Sequence, residues 1–285
     1  MIVIVSGLAS GALFAMTALI YNVMFSTSKV LSVATGHTAM LGGVFGAWFM
    51  IRFGLPPGVA LLGSVAVGAA FGSLTYLIAI RRVLARTDEH LWLLSTLALA
   101  TMTQQVVALW WGTEPQQFPR LLPQSYTSGL ADQKYWLPVT GAALMAVGVE
   151  LFYRRTLYGK LFMALSEDAF AARARGVPTD RLRALSYAMA GAMGGLAGFT
   201  AGQLTFAFFA LGLTLTLNGF ISLAAGGLGS NLGALVGGGA LGMLTAVATY
   251  FIGGQYQNTV AVGMLIVVLL VKPEGLFGTK VARPV

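Results

Sequence analysis

No cysteine occurs among the 285 residues, so disulfides and thiolate metal sites are excluded. Charge is almost as scarce. Asp, Glu, Lys and Arg make up 9% of the chain, against roughly 25% in soluble domains. Only two histidines are present, His37 and His90, and no H-E-x-x-H or other ligand cluster surrounds them. The G-x-x-x-x-G-K-[ST] nucleotide loop is missing, which excludes ATP binding by that mechanism. No nucleophile–base arrangement is recognisable, so an intramembrane enzyme is a poor fit. The expectation is no catalytic residue, no metal ligand and no cofactor held by this chain. From Ala184 to Val271, a run of 88 residues, there is no charged side chain at all.

Hydrophobic residues fill the space that charge leaves, at 57% of the chain with a mean hydropathy of +0.80. The chain therefore reads as an all-α polytopic membrane protein, one transmembrane domain over 1–285. Long apolar runs without period-2 alternation exclude a transmembrane β-barrel. The isoelectric point near 10.0 invites a nucleic-acid partner, but the basic residues sit at the ends of apolar runs, where they set topology. The opening MIVIVSGLAS has no basic n-region and reads as a first span. A crossing needs about 20 apolar residues, which predicts spans at 3–25, 33–51, 58–80, 91–111, 136–153, 184–204, 208–224, 231–252 and 257–271. The last few are short or broken by glycine, so the expected number is eight to ten, some of them broken or re-entrant.

The Lys/Arg bias orients these spans. Lys29, Arg81, Arg82, Arg86, the segment 154–183 and the tail from Lys272 together hold 14 of the 17 basic residues. The other side holds Arg52, Arg120 and Lys134. The positive-inside rule makes the first side cytoplasmic. An odd number of spans then puts the N-terminus outside and the C-terminus inside, and 112–135 becomes the longest external loop.

Within 154–183, residues 166–176 read SEDAFAARARG. Ser166 is an expected N-cap. Glu167 and Asp168 then fall in the first turn and Arg173 and Arg175 in the last, matching the helix dipole. Gly176 supplies a left-handed C′ position and Pro178 cannot continue the helix. A short helix from Glu167 to Arg175 is predicted, with Thr179 or Asp180 capping the next one. It contains small alanines and one phenylalanine, Phe170. Such a helix suits either a groove on a partner protein or anionic membrane lipid, and residue chemistry leaves both open.

Eighteen glycines lie between Gly191 and Gly263. Small residues at spacing four mark close helix packing, as at Gly191–Gly195, Gly198–Gly202 and Gly229–Gly233–Gly237. The Gly226–Gly229 cluster breaks the helical pattern and is expected to form a re-entrant turn. Ser32–Gly46 and Ser222–Gly237 share a pattern of Ser, hydrophobe, Ala and a glycine-rich turn, as in an internal repeat. Polar residues inside spans are functional candidates. Thr35, His37, Asn218, Gly226, Gly227 and Gly229 are the candidates for a translocation path. His37 also reads as a helix-end histidine with its hydrogen bonds satisfied. A path without fixed charge implies a driving force supplied by other chains.

Four motifs in order carry a resemblance. They are Gly7–Ala12 (GLASGA); Gly159–Lys160 with Ala164–Asp168, Ala171–Ala172 and Gly176–Val177; Gly226–Ser230 (GGLGS) followed by Gly233–Ala234 and Gly237–Gly238; and Lys272–Gly278 (KPEGLFG). Together they resemble the branched-chain amino acid (Liv-type, hydrophobic amino acid uptake) ABC transporter permease family. The chain departs from the family's Asn-Phe-Ala-His-Gly turn at Leu31–His37. The resemblance implies the transmembrane permease subunit of a bacterial binding-protein-dependent importer in the inner membrane. Its solute would be a branched-chain or other amino acid, or a related small polar solute. It implies partner ABC ATPase subunits carrying ATP and Mg, a second homologous permease (a heterodimer before a homodimer) and a periplasmic or extracellular solute-binding protein. The segment 154–183 becomes the ATPase-coupling segment, with Glu167, Asp168, Ala172, Arg173 and Gly176 as coupling contacts. The alternative is a secondary carrier or uniporter working without an ATPase.

Overall fold

The computed structural model describes residues 1–83, 91–121 and 132–278; Arg86, His90, Pro123 and the basic residues Lys280 and Arg283 lie outside these. The chain forms α1 (Ile2–Ser28), α2 (Thr35–Phe53), α3 (Pro57–Thr75, prolonged by a π turn, Tyr76–Ile80), α4 (Leu91–Trp111) and α5 (Gln133–Arg155). Two short helices follow, α6 (Leu157–Glu167) and α7 (Ala169–Ala174). The remaining elements are α8 (Thr179–Thr205), α9 (Leu211–Gly226), α10 (Asn231–Phe251) and α11 (Gln257–Val271). Each predicted span falls on one helix. Length and composition qualify six segments to cross a membrane, and α9 is a shorter apolar helix. The exceptions are α2 and α8. The first begins Thr-Gly-His-Thr and the second carries Asp180, Arg181, Arg183 and a series of glycines. Both are mostly buried and packed on each other, so their surroundings are protein and lipid-like apolarity is not required of them.

Glycine is why these helices approach so closely. A Cβ on Gly68 of α3 would overlap the carbonyl oxygen of Gly191 in α8, and one on Gly42 of α2 would stand 2.6 Å from the carbonyl oxygen of Gly195. On the other flank a Cβ on Gly11 of α1 would lie 3.1 Å from Cα of Gly239 in α10. In lipid, where burying apolar surface gives no drive, such van der Waals contact is what associates helices. Four buried hydroxyls are absorbed inside their own helices: Thr17, Ser64, Thr75 and Thr245 donate to carbonyls one turn back.

Two faces of the bundle are defined by contacts. At one, Arg183 Nε reaches the carbonyl of Thr27 and Tyr153 meets Ser26, and the tail crosses the end of α9. The ends of α1, α5 and α9 and the start of α8 therefore share that face. At the other, Gln116 and Ala207 exchange backbone hydrogen bonds and Trp111 donates to Ala207, tying the end of α4 to the α8–α9 connection. The proposed repeat is reproduced only in part. Residues 29–34 are non-helical before α2, whereas Ser222–Gly226 remain inside α9.

Substituting Gly68→Leu is expected to lower the thermal stability of the detergent-purified protein by about 1–3 kcal/mol or to prevent folding, because overpacking forces the backbones apart. Gly148→Ala in α5, where a Cβ meets nothing within 4 Å, serves as the comparison and should change stability by no more than about 1 kcal/mol. Equal melting temperatures for the two variants would refute the account.

Candidate functional site: the α6–α7 hairpin and the α9–α10 joint

Thr156 ends α5 and starts α6, accepting from Gly159 N at 3.0 Å. Gly159 lets α6 fold back on α5, since a Cβ there would overlap the carbonyl of Phe152. The inner side of α6 buries Phe162 and Leu165 with Ala172 and Leu182, and the Phe162 ring sits 5.4 Å from that of Phe152. The hairpin is thus a small apolar core of its own attached below the bundle.

The structure corrects the predicted helix within it. Ser166 is not an N-cap; its hydroxyl donates to Met163 inside α6. Glu167 closes α6, and the chain breaks at Asp168 (φ −148°, ψ 104°). Asp168 caps α7 by accepting from Phe170 N at 2.8 Å and Ala171 N at 3.0 Å. A carboxylate that satisfies two orphan donors outcompetes continuation of the helix, so α7 has six residues. Gly176 does take the left-handed conformation, with φ 82°. Behind it Val177 N bonds back to Ala172 O at 3.1 Å. Thr179 does not cap α8 with its side chain. It accepts instead from Arg173 Nη2 at 3.2 Å, while α8 starts after Pro178 without a side-chain cap. Ala172 is buried with Phe162, Leu165 and Leu182, on the covered side of α7. Phe170 projects outward, 84% exposed.

A second structure lies at the α9–α10 turn. Gly227 (φ 110°) and Gly229 (φ 88°) permit a four-residue connection. Ser230 caps α10 by accepting from Gly233 N. The tail motif closes over this turn: Leu276 N donates to Ala225 O at 2.9 Å and Phe277 N to Gly226 O at 2.8 Å. Two carbonyls left unpaired at the end of α9 are thereby satisfied by residues fifty positions away. A Cβ on Gly275 would stand 2.5 Å from Cα of Gly227, so the GGLGS and KPEGLFG motifs are two halves of one joint. Asn22 fastens the joint to α1. Its Oδ1 accepts from Gly229 N at 3.0 Å and its Nδ2 donates to Asn231 Oδ1 at 2.6 Å.

The third feature is the non-helical stretch before α2. Its backbone is satisfied within the protein. Val30 N donates to Ser28 Oγ, Val33 N to Thr96 Oγ1, and Ala34 N to Ser32 Oγ. Thr216 of α9 donates to Val33 O at 3.0 Å and accepts from Gly36 N at 3.1 Å. Irregular backbone at depth survives only with such partners. Thr35 donates to Ser32 O at 2.7 Å. His37 packs against Gly212. The Gln104 side chain and the Val33 backbone are the polar groups that face its ring, although neither ring nitrogen makes a hydrogen bond of regular geometry among the described residues.

The six residues read as a path therefore occupy separate places. Thr35 and His37 meet α9 near Gly212 and Thr216. Gly226, Gly227 and Gly229 belong to the joint with the tail. Asn218 is buried in α9. Sequence reasoning missed Asn22 and Asn231, the residues that latch α1 to the α9–α10 turn. The signal was available for Asn22, an amide in the middle of an apolar helix of 27 residues.

A bundle of closely packed, glycine-paired helices, with six segments long and apolar enough to cross a membrane, defines a polytopic membrane protein. Residues 3–269 match the family model described as "Branched-chain amino acid transport system / permease component", and the chain belongs to that family. It is 25% identical to the high-affinity branched-chain amino acid transport system permease protein LivH of Salmonella typhimurium, with 96% of this chain and 94% of the relative covered. It is 27% identical to LivH of Escherichia coli K12 over the same shares, and 26% identical to BraD of Pseudomonas aeruginosa, again over 96% and 94%. A chain of PsaBC from Streptococcus pneumoniae, solved in complex with Fab, shares the fold with a TM-score of 0.54 at 13% identity, covering 95% of this chain and 92% of that one.

Asp168→Ala should fray α7, costing about 0.5–2 kcal/mol of local stability, and speed tryptic cleavage after Arg173 and Arg175, while Asp168→Asn retains the wild-type rate. Identical cleavage rates for all three proteins would remove the capping role.

Removing 272–285 should lower the melting temperature of the whole bundle, and Gly275→Val should reproduce the effect. Were the truncated protein to melt unchanged, the tail would not be part of the joint.

Proposed function

We propose that this permease is the translocating subunit of a bacterial ABC importer of the inner membrane, with its N-terminus outside and its C-terminus in the cytoplasm. Its solute class is that of its relatives, branched-chain or similar amino acids. The orientation rests on the charge asymmetry, which puts the α6–α7 hairpin, the α9–α10 joint and the tail on the basic, cytoplasmic face. An external solute-binding protein delivers the solute, and a second, homologous permease completes the path as a heterodimer. Partner ATPase subunits carry the nucleotide.

One observation carries the reading: α7 is held rigidly at both ends yet presents Phe170 to the outside. A self-delimited helix with an apolar anchor suits a groove on a partner. The bond from Arg173 to Thr179 passes its movement to the start of α8, the helix against which α2 and α3 are packed. ATPase closure on the hairpin would thus shift the core of the bundle, a rigid-body coupling of two discrete arrangements.

Gly176→Val tests this. A β-branched residue in the left-handed region costs about 1–2 kcal/mol and would misplace α7 without touching the spans. In proteoliposomes holding the assembled transporter, ATP-driven amino acid uptake should fall at least tenfold while membrane insertion is normal. Phe170→Glu should release the ATPase subunits on purification. Full uptake by Gly176→Val, or uptake by this chain without any ATPase, would defeat the proposal, the latter in favour of a secondary carrier.

A further inference from the structure

On the face opposite the hairpin a cavity of about 170 Å³ is lined by Phe118, Arg120, Asp132, Lys134, Gln203 and Phe206. It is smaller than the roughly 300–1,000 Å³ of drug-sized ligand pockets, which limits an occupant to a small solute. Its walls are built deliberately. Gln203 Nε2 donates to Pro119 O at 2.8 Å, and Phe118 is buried edge-on against Phe199 at 5.2 Å. These contacts hold the 116–121 segment to the end of α8.

The cavity carries two cations and one carboxylate. Lys134 Nζ lies 3.8 Å from Asp132 and, in the same position, 4.9 Å from the centre of the Tyr135 ring, which supplies part of its contacts. Arg120 has no ion pair among the described residues. Phe206 adds an independent sign. Its backbone stands at φ 59°, ψ 167°, a region that residues with a side chain enter at a cost and that marks ligand-handling sites. Ala207 is clamped by hydrogen bonds of 3.1 and 2.9 Å with Gln116 and by the Trp111 indole. The clamp leaves the Phe206 ring half exposed at the cavity.

We infer that this cavity is a transit site for a free α-amino acid. Arg120 receives the carboxylate, Asp132 receives the ammonium as Lys134 turns to Tyr135, and the Phe206 ring covers an apolar side chain. The inference rests on the amino acid permease reading. A zwitterion matches the unpaired guanidinium and the exchangeable carboxylate together. A simple carboxylic acid or amine satisfies only one of them, and each charge-assisted contact carries a large share of affinity.

The test uses the full chain purified with its co-expressed partners in nanodiscs, without binding protein, and tritiated L-leucine followed by a panel of amino acids. Saturable millimolar or tighter binding is expected, weakened about tenfold or more in Arg120→Gln and in Asp132→Asn. Asparagine keeps the cap on α5, so loss of binding there is not loss of fold. At the leucine concentration, 4-methylpentanoate and isopentylamine should each compete poorly. Phe206→Gly should relieve the backbone and weaken binding of leucine more than of glycine. Absence of saturable binding, or unchanged binding in Arg120→Gln, overturns the site. If binding-protein-dependent uptake persists in that case, the permease reading stands. If neither binding nor uptake of any amino acid occurs, both fall. Loss of uptake in Arg120→Gln with leucine binding intact also overturns the site, and assigns Arg120 to docking of the binding protein.

Discussion

Where α3 crosses α8, the carbonyl oxygen of Gly68 occupies the space that a side chain would fill at residue 191. The same kind of contact joins α2 to α8 at Gly42 and Gly195 and α1 to α10 at Gly11 and Gly239. Much else depends on this backbone-to-backbone packing. It lets α2 and α8 lie inside protein with compositions that lipid would not accept. It sets the depth at which α2 starts, and so the position of Thr35, His37 and the latch from Thr216.

Close packing also explains why the polar features are few and concentrated. A tightly joined bundle leaves irregular backbone only where side chains satisfy it. Thr96, Thr216, Ser28 and Ser32 do so before α2, and Asn22 with the tail does so at the α9–α10 turn. The α6–α7 hairpin is different in kind. Its core around Phe162 rests on Phe152 and Tyr153 of α5, and Arg173 and Thr179 join α7 to the start of α8.

The family and the span positions were legible because apolar runs and ordered motifs are local properties of the chain. Gly176 was legible for the same reason: a left-handed cap needs only its own backbone. The N-cap of α7 was not, because Ser166 and Asp168 are both good caps and the choice falls to the carboxylate that reaches two N–H groups. That Ala172 lies on the covered side of α7 was not legible either, since which side is covered depends on Phe162 and Leu182. The motifs GGLGS and KPEGLFG were each visible, but nothing in their sequence says that one caps the other.

By itself the sequence determined that this chain spans a membrane, which side of each span is basic, and where the backbone must turn, because hydropathy, charge placement and glycine act locally. Only the tertiary structure decided which polar groups meet. It joined Asn22 to the α9–α10 turn, Thr216 to the start of α2, and the tail to the end of α9. Hydrogen bonds between residues far apart in the chain depend on how helices approach, and that approach is set by which glycines face each other once the bundle has closed.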